Sequence, residues 1–188
     1  MTDFNIHTRE GLPTELHTLL RAHPRDSWPD HPNFARSIQN WMGAHQGFRR
    51  LGALLQTETE ALISKQIDDE RFARQLSRYG NILVNNLHGH HTWEDRSFFP
   101  ELTEADPRFE NGINMLESDH NVLDETLERF THQGNRILKL FDLDKQQAME
   151  EARIFRDTTQ EIAGFLPRHL ADEEDLVVPI LLHHELRR

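Results

Sequence analysis

The chain has 188 residues, enough for one domain with a sizeable core and too few to expect two. Its hydrophobic fraction of 36% suits long amphipathic helices, and a formal charge of -11 with no basic stripe argues against a nucleic acid or an anionic membrane surface as partner. The absence of cysteine excludes disulfides, iron–sulfur clusters and thiolate chemistry, while 13 histidines leave imidazole and carboxylate as metal donors, a set that suits iron, manganese or zinc.

In chain order, residues 1–32 are polar and punctuated by proline, as in "RAHPRDSWPDHPN", with one short helical stretch beginning at Pro13. They read as an N-terminal arm or lid ahead of a domain spanning 33–188. Helix A is expected from about Asn33 to about Ser64, with Phe34, Ile38, Trp41, His45, Phe48 and Leu55 on one stripe and a gap at Gly52. Asp68 has the character of an N-cap for helix B, whose stripe is Phe72, Leu76, Leu83, Leu87, His90 and Glu94. Asp106 and Pro107 form a cap-plus-proline start for helix C, which carries Ile113, Leu116, His120, Leu123, Leu127 and Phe130. "DLDKQQ" restarts the chain for helix D, with Phe155, Thr159, Ile162, Leu166, His169, Glu173, Leu176 and Ile180, and with Pro167 expected to kink it or open its ladder. No stretch alternates like a strand, so the expected fold is all-α, an up-down-up-down four-helix bundle. No apolar run is long enough to span a bilayer and no signal peptide is evident, which makes a cytoplasmic protein without a membrane partner the expectation.

Each helix places one histidine on the stripe that should face the core, and two add a glutamate one turn later. Residues 90–100, "HHTWEDRSFFP", and residues 169–179, "HLADEEDLVVP", share the pattern H-x-x-x-E-[D/E]-x-x-[F/V]-[F/V]-P. The match pairs His90 with His169 and Glu94 with Glu173, and the preceding helices pair His45 with His120, so the chain reads as two helical hairpins. Residues i and i+4 project from one face of a helix, so each His–Glu pair can reach one metal or two adjacent ones. Four imidazoles and two carboxylates are too many for one tetrahedral zinc. They suit two five- or six-coordinate ions with the carboxylates as bridges and one position left for a small molecule.

His45, "HHTWED" followed by "FFP", His120, and "HLADEE" followed by "VVP" together resemble the hemerythrin-like, or HHE cation-binding, family over about residues 34–180. The resemblance implies two non-haem iron ions with an oxo or hydroxo bridge inside a four-helix bundle, with zinc or manganese as substitutes. Carried over residue by residue, the ligands are His45, His90, Glu94, His120, His169 and Glu173, the H-HxxxE-H-HxxxE arrangement. The implied partner is a small diatomic molecule or peroxide: family members carry or sense dioxygen, respond to nitric oxide or peroxide, or sense iron. Where the oxygen carriers have a fifth histidine, four residues after the helix C ligand, this chain has Asp124, and Glu174 holds the place of the carriers' last carboxylate.

Neighbouring groups are assigned by the same repeat. His91 corresponds to Leu170, which points to the surface or to a supporting place beside the ligands, and His88 corresponds to Pro167. Asp124 is a candidate acceptor beside the metals, or a ligand if the site is asymmetric. Trp41, Phe48, Trp93, Leu116 and Leu123 are candidates for an apolar shell around them. His7, His17, His23, His31, His132, His183 and His184 have no patterned partner and read as solvated. "ESDH" at 117–120 matches the Glu-x-x-His element of ferritin-like bundles, but the second copy that those bundles need fails at Leu166. A zinc hydrolase would need a His-Glu-x-x-His helix, which is missing. Two functions stay open on the same six residues, a binding or sensing module and an oxidoreductase that turns over peroxide or nitric oxide.

Overall fold

The computed structural model describes residues 4–186. Ahead of the long helices lie α1 (Thr18–Ala22) and two single 3-10 turns, Thr14–Leu16 and Arg25–Ser27. Helix A is α2 (Arg36–Ile63). Helix B is a continuous helical run in which α3 (Asp69–Gln75), α4 (Asn81–Trp93) and α5 (Phe99–Ala105) are joined by π-turns at Leu76–Gly80 and Glu94–Phe98. Helices C and D are α6 (Glu110–Leu143) and α7 (Lys145–His183). The described residues contain no strand, and the fold is an all-α helical bundle. None of their helices is long and apolar enough to cross a membrane.

The helix starts follow their caps. Asp68 Oδ1 accepts from the Arg71 backbone N–H at 2.7 Å, and Asp106 accepts from Arg108 N–H at 3.3 Å. Asp144 does the same for Gln147 at 3.0 Å. Each satisfies a first-turn donor that has no partner within the helix. The second π-turn has a cause in the sequence. Pro100 cannot donate to the carbonyl four residues back, and the wider turn Glu94–Phe98 immediately precedes it, a way of accommodating the missing bond. In α7, Pro167 and Pro179 are carried inside an uninterrupted helix of 39 residues.

The chain's contacts divide into two units, and each long helix contributes to both. One unit holds residues up to Gly47, His91–His120 and Pro167 onward. Its core is built from Ile38, Trp41, Phe98, Phe99, Leu102, Ile113, Leu116 and the Leu176–Leu182 stretch of α7. Leu12, Leu16, Leu19 and Trp28 of the N-terminal segment are buried in that same core. A Cβ on Gly112 would lie 2.8 Å from Leu176 Cδ2 and 3.0 Å from Leu16 Cδ1, so glycine lets this segment and α7 close on α6 together. The other unit, Phe48–His90 with Asn121–Leu166, buries Leu55, Phe72, Leu83, Leu87, Leu123, Phe130, Phe155 and Ile162. Gly52, the gap in the helix A stripe, faces Leu166, whose Cδ1 would be 3.2 Å from an added Cβ.

Candidate metal centre

Three histidines are anchored in the same way. His45 on α2, His120 on α6 and His169 on α7 present Nδ1 to Glu174 Oε1 at 3.1 Å, Asp95 Oδ1 at 2.7 Å and Asp119 Oδ2 at 3.1 Å. An ionised carboxylate only accepts, so each anchor assigns the ring proton to Nδ1 and leaves Nε2 as the donor atom for a cation. The Nε2 atoms face the two glutamates: His45 lies 3.5 Å and His169 3.9 Å from Glu173 Oε2, and His120 lies 3.9 Å from Glu94 Oε2.

Both glutamates are fully buried. Trp41 donates its indole N–H to Glu94 Oε1 at 2.7 Å, and its ring stands edge-on to His45 with centroids 4.2 Å apart. Burial, and then the neighbouring charge of Glu94, pushes the Glu173 carboxyl well above the usual range. Burial lowers His169, against the opposing pull of Asp119. Two fully buried glutamates grouped with imidazole nitrogens form a donor set that suits a cation.

The donors fall into two groups, each with its atoms within 4.8 Å of one another. One is His91, His120 and His169, and the other is His45, His90, Glu94 and Glu173. All six residues singled out by the repeat are among them. Glu174 stands apart as the anchor of His45. His91, read from its Leu170 counterpart as a surface or supporting residue, is instead 1% exposed and belongs to the first group. The reason is helical geometry. On a helix, residues three and four before Glu94 lie about 60° to one side of it and about 40° to the other. His91 and His90 therefore flank Glu94, and the i, i+3 spacing of His91 and Glu94 was the signal in the sequence.

Other expectations are corrected. Asp124 is in neither group and pairs instead with His88, Oδ1 to Nδ1 3.6 Å, where both side chains are well exposed. Trp93 is 41% exposed, whereas Trp41, Phe48, Leu116 and Leu123 are buried. Three histidines read as solvated have firm contacts: His17 Nε2 with Leu12 O at 2.7 Å, His31 Nδ1 accepting from the Asn33 N–H at 3.1 Å, and His184 Nε2 with Asp106 Oδ2 at 2.9 Å.

The acid pair in each repeat also acquires a meaning. The first acid, Glu94 or Glu173, offers an oxygen to a cation group. The second, Asp95 or Glu174, anchors the single histidine of the opposite hairpin, His120 or His45. The symmetry breaks at two places. Asp119 anchors His169, where the equivalent residue before His45 is Ala44, and His91 stands where the second copy has Leu170. Burial would raise the Asp119 carboxyl, but hydrogen bonds from His169 and Arg9 outweigh it and hold it below the usual carboxylate range.

A protein-family model described as the hemerythrin HHE cation binding domain matches residues 36–181. No curated protein and no solved structure gives a significant match.

Proposed function

From the chain's membership of the hemerythrin HHE cation-binding family, we propose that His45, His90, His91, Glu94, His120, His169 and Glu173 hold two iron ions. The pair binds, senses or reacts with dioxygen, nitric oxide or peroxide. The carrying observation is the division of seven buried or half-buried donors into two adjacent groups, with Glu94 and Glu173 at 0% exposure beside imidazoles from the neighbouring group. The donors fit iron: imidazole nitrogen and carboxylate oxygen are its usual ligands here, no thiolate competes, and the two buried carboxylates need positive charge. Among the described residues His120 Nε2 has no hydrogen-bond partner, as expected of an atom kept for a cation. Five histidines, rather than four, make this a departure from the H-HxxxE-H-HxxxE arrangement.

When bound, such ions supply redox change and a place for a small molecule to coordinate. The chain's own residues do the rest. Glu174, Asp95 and Asp119 fix the imidazole tautomers, Trp41 fixes Glu94, and buried Phe99 and Leu116 keep water away. An apolar cavity of about 220 Å³ is lined by Ser37, Ile38, Trp41, Trp93, Phe98 and Leu181. A cavity of that character favours a small, weakly polar molecule over a charged organic substrate.

The test is anaerobic loading with ferrous iron, followed by separate additions of dioxygen, nitric oxide and peroxide under optical observation. A stable adduct supports binding or sensing; repeated consumption of peroxide or nitric oxide supports an oxidoreductase. Iron uptake with no response to any of the three would leave iron sensing or storage as the function.

A further inference from the structure

Two arginines of the N-terminal segment stand behind the histidine anchors. Arg9, whose side chain is 2% exposed, donates from Nη1 to Asp119 Oδ1 at 2.9 Å and from Nη2 to Asp119 Oδ2, the oxygen that also accepts from His169 Nδ1. Its Nε donates to Asp172 Oδ2 at 2.7 Å, three residues beyond His169 on the same helix. Arg25 donates from Nη1 to Glu174 Oε2 at 2.9 Å, and the other oxygen of Glu174 accepts from His45 Nδ1. Arg25 Nε also reaches Asp175 Oδ1 at 2.5 Å, and Nη2 reaches the Ala171 carbonyl at 2.9 Å.

We infer that Arg9 and Arg25 are positioning residues for the cation site, acting through Asp119 on His169 and through Glu174 on His45. This rests on the reading of those histidines as cation ligands. The N-terminal segment is then a clamp on the site, and not only a cover for the apolar core.

The chemistry is specific to a guanidinium. Arg9 holds both oxygens of Asp119 in a bidentate fork, which fixes the carboxylate plane and with it the imidazole that donates to it. Arg25 instead holds Glu174 through one N–H and ties it to Asp175 and the Ala171 carbonyl on the same helix. The positive charge also tempers the electron density that the carboxylate lends to the ring, so Arg9 and Arg25 act on both the direction and the donor strength of Nε2. The third anchor, Asp95, has a side chain 38% exposed, and solvent shares its charge. A buried ion cluster is a poor source of stability, because desolvating its charges offsets most of their attraction. Its position directly behind a ligand therefore points to orientation of that ligand.

Cobalt(II), whose visible bands report ligand geometry, is the probe. Its affinity, by competition with a chelator, and its spectrum are measured for the parent chain and for Arg9→Met, Arg25→Met and Arg21→Met. Arg21 belongs to the same segment, is exposed and among the described residues its side chain reaches only the Thr14 carbonyl, at 3.4 Å, so its variant is the control. Loss of either clamp should weaken binding about tenfold and shift the bands, with Arg21→Met unchanged. If Arg9→Met fails to fold, Arg25→Met, whose arginine side chain is 41% exposed, carries the test alone. Parental affinity and spectrum in folded Arg9→Met and Arg25→Met overturn this inference while leaving the cation site intact. A parent that takes up no cobalt overturns the cation-site reading, and this inference with it.

Discussion

The imidazole of His91 lies flat on that of His120, with ring centroids 3.9 Å apart and planes inclined by 8°. His169 closes the group edge-on, 5.0 Å from His120 and 5.5 Å from His91. The contact brings one nitrogen of each ring within 4.8 Å of the others, close enough to serve one cation.

His91→Leu, which installs the residue of the second repeat copy, is therefore expected to lower affinity for one of two ions by about 10–100-fold while the other stays bound. Asp124→Ala should leave metal content unchanged. Stoichiometry by metal analysis of both variants after identical loading checks this. Equal losses in the two would remove the distinction between them.

Glu173→Gln should act in opposite directions on stability and on binding. In the metal-free chain it relieves a buried carboxylate pressed against Glu94, and at pH 7 it is expected to stabilise by roughly 1–3 kcal/mol, as replacement of buried charge often does. Metal uptake should fall sharply, because a neutral amide is a weaker cation donor than a carboxylate. Thermal unfolding with and without added metal reads both effects from one preparation.

Trp41→Phe keeps an aromatic ring over His45 but removes the donor to Glu94 Oε1. The expected stability cost is about 1 kcal/mol. The metal-bound spectrum should change more than the stability does, since Glu94 would then be free to turn. An unchanged spectrum would show that Glu94 is held by other contacts.

Remote from the site, Asp106 gives a pH signature. The Arg108 guanidinium holds its carboxyl well below the ordinary value of 3.8; burial opposes this, and His184 adds to the lowering. A depressed folded-state value means that the contribution is fully present above about pH 3.8 and is lost as pH falls from there. Asp106→Asn should therefore be less stable than the parent by about 1–2 kcal/mol at neutral pH. The gap should narrow below pH 3.8 in urea unfolding measured across the acid range.

Local rules carried much of the fold. Asp68 and Asp106 cap helices where the sequence places them, and the apolar stripes of helices B, C and D are buried almost residue for residue. The two π-turns escaped, because periodicity over a long window averages out one extra residue in a turn. At the site, the repeat selected residues by symmetry, and the structure departs from symmetry at His91 and Asp119. His91 was legible through its spacing to Glu94, but comparison with Leu170 concealed it. The arginine clamps were not legible at all. Arg9 meets Asp119 from 110 positions away, and no local pattern encodes such a pairing.

On the function proposed above, the two adjacent donor groups would hold two iron ions. Mössbauer and magnetic measurements on chain loaded anaerobically with iron-57 and then oxidised test it most directly. The account predicts about two irons per chain with antiferromagnetic coupling between them. A single iron per fully loaded chain, or two that behave as isolated ions, would contradict it.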